Sequence, residues 1–319
     1  MNAQKGATVI AALALLYFVV ACDRGSDPVE PAVVAHGATM SVTGAEWSEW
    51  SAPVNLGPTV NSPFADNVPD VSRDGLSLYF SSNRPGGSGA GDLWVSRRAS
   101  VDDPWGVPVN LGPTVNSSAV DLGPNVSPDG HYLFFTSNRP GSLGLNDIWV
   151  SRRADVHDDF AWEAPVNLGS PINGPEFDAG PELRLPEFYF VRGPAGAAFD
   201  IYVSIVKGNS FESPQPVVEL NSSANDLRPS VRFDRREIVF SSNRPGGFGG
   251  DDLWVSTRQS AAEPWTTPVN LGPLVNTPFS DVQAGLSEDG TMLFFTSNRP
   301  GGMGAGDLYV STRRRISRE

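Results

Sequence analysis

A single cysteine, three histidines and a shortage of charge mark this 319-residue chain. One thiol excludes an internal disulfide framework and a Cys-rich zinc site, and His36, His131 and His157 are too scattered to form a histidine cluster. No metal ion and no cofactor is therefore expected. Positive charge is scarce as well, with 23 Lys and Arg against 36 Asp and Glu and a formal charge of −13. A nucleic-acid binder needs a basic face to release counterions from phosphates, so nucleic acid is not expected as a partner. Charged residues are only 18% of the chain while apolar ones reach 39%, with 17 Phe and 8 Trp. Such a chain buries a core and does not stay disordered.

The one long apolar run lies at the start. After Lys5, residues Ala7 to Ala21 are apolar but for Thr8. At about 1.5 Å per residue this run spans about 22 Å, short of the roughly 30 Å of a bilayer's hydrocarbon core, so it reads as an export signal. It ends Val19-Val20-Ala21-Cys22, which resembles the bacterial lipobox, where the Cys thiol takes a lipid and becomes the new N-terminus. The resemblance implies a signal peptide over 1–21, a lipid on Cys22, and a membrane-anchored protein of a bacterial cell envelope on its periplasmic or outer-membrane side. Residues 22–46 hold Gly25, Pro28, Pro31, Gly37 and Gly44 with no sustained apolar period, the pattern of a flexible tether.

The rest, 47–319, repeats itself. SSNRPGG, TSNRPG, SSNRPGG and TSNRPGG begin at Ser81, Thr136, Ser241 and Thr296, and a worn copy lies between the second and third. In every unit an Arg stands eight residues before an Asp that opens an apolar strand: Arg84/Asp92, Arg139/Asp147, Arg192/Asp200, Arg244/Asp252 and Arg299/Asp307. An earlier Asp recurs as Asp66, Asp121, Asp178, Asp226 and Asp281, each with an Asn five residues before it, from Asn61 to Asn276. Asp-Gly between short apolar runs, as at Asp74-Gly75, Asp129-Gly130 and Asp289-Gly290, signals a tight hairpin because both central residues of a type I′ turn need positive φ. A fourth run starts with an aromatic and carries Pro-Val-Asn-Leu, as in Trp50 to Leu56. Proline belongs on an edge, so this is the outer strand of a four-stranded unit.

The unit resembles the WD40-like β-propeller repeat of the TolB type, whose mark here reads Asp66-Asn67-Val68-Pro69, Ser72-Arg73-Asp74-Gly75, Leu78-Tyr79-Phe80 and Asp92-Leu93-Trp94. Unit three departs from it by lacking the Asp-Gly turn. The resemblance implies an all-β, five-bladed β-propeller with four-stranded blades. The outer strand appears alone first, at Trp50 to Leu56, and is missing after Asp307 to Arg314, so the N-terminal strand is expected to close the C-terminal blade and remove the exposed edges. Trp94, Trp149, Tyr202, Trp254 and Tyr309 are expected to pack blade on blade.

The repeated Asp and Arg residues are expected on one face, with the Asp-Gly turns opposite. Repetition in every blade is what a scaffold requires, so each Asp is expected to pair with the Arg of its unit while the Asn caps a turn. A ring of five weak, equivalent binding sites is the functional reading of the same symmetry. Unique sites belong where the repeat varies. Four residues after each first Asp stand Asp70, Asn125, Glu182, Ser230 and Gly285, and two residues earlier Val68, Gly123, Gly180, Arg228 and Gln283. Asp70, Asn125, Glu182, Arg228 and Gln283 are therefore candidates for an asymmetric binding pocket at the channel mouth, against solvated channel polar groups. Asp251-Asp252 could hold Ca²⁺, but one blade alone has the pair, and a solvated acidic loop is expected.

No registered glycosidase signature, serine elbow or phosphate loop occurs, and His131 falls on the opposite turn. The expectation is thus not an enzyme but a non-catalytic, monomeric envelope lipoprotein whose propeller binds or scaffolds a protein or glycan partner. The alternative is a carbohydrate-active propeller hydrolase using Asp70 and Glu182 at the channel mouth, as the paired carboxylates of glycosidases would require.

Overall fold

The structure, a computed structural model, describes residues 41–42, 45–194 and 198–316. The expected signal peptide and the lipidation residue Cys22 lie outside the described residues, as does most of the stretch read as a tether. Four residues of that stretch are paired. Ser41–Val42 and Ala45–Trp47 form a small sheet with Arg315–Ile316 from the other end of the chain.

Among the described residues there are no helices, and five antiparallel sheets make a five-bladed β-propeller. Blade one runs Asp66–Val71, Ser77–Ser82, Asp92–Arg97 and Val109–Asn110 from hub to rim. Blades two and four repeat it from Asp121 and Asp226. In blade five, Asp281–Leu286, Met292–Ser297 and Asp307–Thr312 are completed by Val54–Asn55, which pairs with Tyr309 and Val310. The first blade strand of the chain thus closes the last blade.

The local chemistry accounts for the strand lengths. Leu78, Tyr79 and Phe80 are wholly buried because the second strand is covered on both faces, so the run is continuously apolar. The outer strand is shorter than the run Trp50 to Leu56. Val54 and Asn55 pair in register with Val310 and Tyr309, and Ser51 and Leu56 give single N–H bonds to Thr312 and Leu308 on either side, while Pro53 has no N–H to give. Asn61 then adds one more rung, accepting from Leu308 N–H at 2.8 Å and donating to its carbonyl at 3.0 Å. The same exchange joins Asn116 to Leu93 and Asn276 to Leu253. These asparagines were expected to cap turns; they instead prolong the outer strand.

The core lies between blades. Tyr79, Leu93 and Val95 of blade one pack with Val126, Leu133, Phe135, Trp149 and Trp162 of blade two, and comparable clusters hold Trp94, Trp254 and Tyr309. The Gly-rich loops are part of the seams. A Cβ on Gly89 would meet the carbonyl of Ala119 in the next blade, and one on Gly304 that of Phe64. Blade three, without an Asp-Gly turn, has longer strands, Phe177–Arg184 and Glu187–Gly193.

Candidate active site

The five repeated pairs come together as Arg84–Asp66, Arg139–Asp121, Arg192–Asp178, Arg244–Asp226 and Arg299–Asp281. Each Asp lies at zero exposure. In blade one, Asp66 accepts from Ser62 N–H and Oγ, Ser82 Oγ and Arg84, while Arg84 also donates to the carbonyl of Val60 and lies over Phe80 and Trp94. A carboxylate with every lone pair occupied, beneath a guanidinium stacked on aromatic rings, holds two loops together and offers a ligand nothing.

The variable positions converge on the hub. Each inner strand carries a bulge two residues after its Asp, where Val68, Gly123, Gly180, Arg228 and Gln283 all take positive φ between 48° and 65°. That conformation strains a non-glycine residue, a β-branched one most, and here it re-aims the strand. Two residues on, each side chain crosses to the next blade and accepts a backbone N–H there. Asp70 Oδ2 takes Val126 N–H at 2.8 Å, Asn125 Oδ1 takes Leu183 at 3.0 Å, Glu182 Oε1 takes Val231 at 2.9 Å, and Ser230 Oγ takes Leu286 at 2.9 Å. At Gly285 the relay ends, because a Cβ there would run into the carbonyl of Pro69.

These groups were expected at a solvated channel mouth. They are buried instead, Asp70 at 5% and Glu182 at 1% exposure, because each is needed as an acceptor inside the bulge. Asn125 joins the two acids, its Nδ2 lying 3.3 Å from Asp70 Oδ1 and 2.6 Å from Glu182 Oε2. Those two legs set the carboxylate oxygens at most roughly 6 Å apart, below the roughly 6.5 to 9.5 Å of inverting glycosidase pairs and compatible with the roughly 5 to 5.5 Å of retaining ones.

Arg228, 3% exposed, crosses the axis from blade four and donates to the carbonyls of Pro124 at 2.6 Å and Pro181 at 3.2 Å. It packs against Gly123 and Gly180, the matching residues of the blades it crosses, where a Cβ would already lie in contact with it at 3.7 Å. Gln283 is half-buried, its N–H bound to Ser241 Oγ at 2.6 Å, and it does not join the acid pair. Arg184, not singled out from the sequence, lies 3.2 Å from Glu182 and donates to Val231 O at 2.7 Å. Its signal was position, since it follows Glu182 by two in a strand and so shares its face.

Burial raises Asp70 above the usual aspartate range, opposed chiefly by Arg228 and the Val126 N–H. Burial also pushes Glu182 up to about 7, with Arg184 opposing and the neighbouring Asp70 adding to the rise. The hub therefore pairs a carboxyl that keeps its proton near neutrality with a second acid under the charge of Arg228.

Asp251 departs from the expected solvated loop. It is 2% exposed, burial and Asp252 push it up to about 6, and its Oδ1 has no hydrogen-bond partner.

The class defined by this architecture is the five-bladed β-propeller, and solved structures agree with it. An α-L-arabinofuranosidase from Podospora anserina solved with cellotriose matches at TM-score 0.54 and 13% identity, over 84% of this chain and 97% of that one. An endo-arabinase from Bacteroides thetaiotaomicron matches at 0.53 and 14% over 85% and 99%. An α-L-arabinofuranosidase from Lactobacillus brevis matches at 0.56 and 12% over 81% and 92%. No family model matches, and no curated protein sequence does. A putative TolB from Agrobacterium tumefaciens is similar only at TM-score 0.46 and 16% identity, over 81% of this chain and 92% of that one.

At such identities the likeness establishes the fold. It also overturns the expectation of a non-catalytic scaffold, and with it the expectation of no enzyme. That reading leaned on the lack of a glycosidase signature, yet the matched hydrolases share the whole architecture with this chain at 12 to 14% identity. A missing local motif is therefore no argument against hydrolysis on this fold.

Proposed function

We propose that the chain is a carbohydrate-active hydrolase with Glu182 as general acid and Asp70 as the second carboxylate. The observation that carries this reading is the convergence of the two acids on Asn125, with Glu182 pushed up to about 7. Glu182 would give its proton to the leaving glycosidic oxygen as that bond breaks and the Asp70 carboxylate bonds to the anomeric carbon; water, giving a proton back to Glu182, would then take the place of Asp70 on that carbon, the sequence that so short a separation requires. Arg228 would oppose the protonation of Asp70 that burial favours and hold the pair covered, so turnover requires it to release Pro124 and Pro181. The arabinose-bearing glycans named for the matched enzymes are the substrates to try first.

The test is release of arabinose or new reducing ends from arabinan and arabinoxylan by the purified chain, beside Glu182→Gln and Asp70→Asn. Removal of a catalytic carboxylate is expected to lower kcat at least about 100-fold. A wild-type protein inactive on the whole panel, or a double variant as active as wild type, would refute the proposal.

We also infer export and lipid attachment at Cys22, from the apolar run closed by Val19-Val20-Ala21-Cys22. Mass spectrometry that finds Cys22 unmodified and still preceded by Ala21 in the native host would refute that part.

A further inference from the structure

On the face of the Asp-Gly turns a second device joins the blades. Arg98, Arg153, Arg258 and Arg313 follow the third strands of blades one, two, four and five. They stack on Trp105, Trp162, Trp265 and Trp50, with centroid distances of 4.2 to 4.3 Å. Each gives its Nε–H to a turn carbonyl of its own blade: Gly75, Gly130, Arg235 and Gly290. The other guanidinium nitrogens reach toward the preceding blade, where an acid completes three of the seams. Glu187 binds Arg258 through both oxygens, Glu237 binds Arg313 at 2.7 Å, and Asp159, held by Ser77 of blade one, binds Arg153 at 2.7 Å. Blade three removes cation and anion together, setting Val206 and Phe211 against the aromatic core around Phe188.

The seam between blades five and one keeps the cation and lacks the anion. The residue matching Glu187 and Glu237 is Met292, whose Sδ lies 3.8 Å from Arg98 Nη2, and Nη1 donates to Val101 O at 2.8 Å. Arg98 forms no ion pair among the described residues. Beside it a cavity of about 360 Å³ opens, walled in part by Gly75, Val101 and Met292, which separate it from Arg98, by half-exposed Phe233 of blade four, and by the cations Arg73 and Arg315. The carboxylates of its wall are already engaged: Asp74 and Asp289 accept from their own turns and Glu288 lies 3.7 Å from Arg73.

We propose that this cavity binds a small carboxylate with an apolar body, whose carboxyl pairs with Arg98 as Glu187 and Glu237 pair with theirs. A thioether on three rotatable bonds is readily turned aside, and a guanidinium prefers a carboxylate to sulfur. Val101 and Phe233 then cover the apolar part. The site shares no residue with the Asp70–Asn125–Glu182 cluster and stands whether or not that cluster hydrolyses glycosides.

The experiment uses the chain labelled with methyl-¹³C methionine, the Met292 methyl being assigned through Met292→Leu. Benzoate is titrated against its neutral isostere benzamide. Benzoate is expected to shift the Met292 methyl saturably and to bind at least about tenfold more tightly than benzamide. Arg98→Gln should abolish that preference. Met292→Glu, which supplies the missing acid from within, should raise the melting temperature and abolish benzoate binding as followed by Trp105 fluorescence. Equal affinity for the two probes, no saturable shift with benzoate, or undiminished benzoate binding in either Arg98→Gln or Met292→Glu overturns the proposal.

Discussion

Replacing Glu182 by Gln should change how stability depends on pH, and the size of the change follows from the burial of the hub. The carboxyl ionises near 4.5 in an unfolded chain and near 7 in the folded one. The folded state therefore holds this proton more tightly, and the stabilisation it brings is complete below about pH 4.5 and disappears as pH rises through 7. At about 1.4 kcal/mol per pKa unit the loss is about 3 kcal/mol. Gln cannot titrate. It also sets an amide against the Asn125 Nδ2 that now donates to Glu182, which costs a constant amount at every pH. The informative quantity is thus the slope of the wild-type minus variant difference. Urea unfolding followed by tryptophan fluorescence from pH 4.5 to 8 should show that difference falling by about 3 kcal/mol toward high pH. Parallel curves would refute the assignment of a proton-holding carboxyl to the hub, and with it the choice of Glu182 as general acid.

The peripheral pairs and the buried acid of blade four make further predictions. Arg139→Leu leaves Asp121 buried without its cation and should lower unfolding free energy by about 3 to 5 kcal/mol; a loss under about 1 kcal/mol in chemical denaturation would mean the pair is no tie between loops. Asp251, pushed up to about 6 from 3.8, stabilises below about pH 3.8 and progressively less as pH rises through 6. Asp251→Asn should accordingly raise the melting temperature at pH 8 relative to wild type and lose that advantage at pH 4; an advantage independent of pH would contradict the burial argument.

Much of the architecture could be read before any coordinates. Four SNRPG copies and the Arg-to-Asp spacing count the blades, because identical turn chemistry needs identical residues, and the lone Pro-Val-Asn at 53–55 announces the closure. The candidate acids were also legible, as departures from the repeat. Their surroundings were not. Whether Asp70 faces solvent or a neighbour's N–H depends on a bulge at Val68, where a β-branched residue sits at φ 56° against its local preference. The seam arginines escaped notice for a similar reason: Arg98 and Arg313 share a register, but their partners Met292 and Glu237 belong to other blades. Asp251 read as an exposed loop because Gly-rich flanks resemble surface, whereas its Cα lies where Gly91 and Gly306 let neighbouring blades close up.

The arginine lying across the axis has a consequence for the molecule as a whole. Arg228 of blade four is bound to carbonyls of the two blades before its own, Pro124 of blade two and Pro181 of blade three. The guanidinium thereby ties the inner strands of blades two, three and four to one another, so a ligand that displaced it would loosen three blades together.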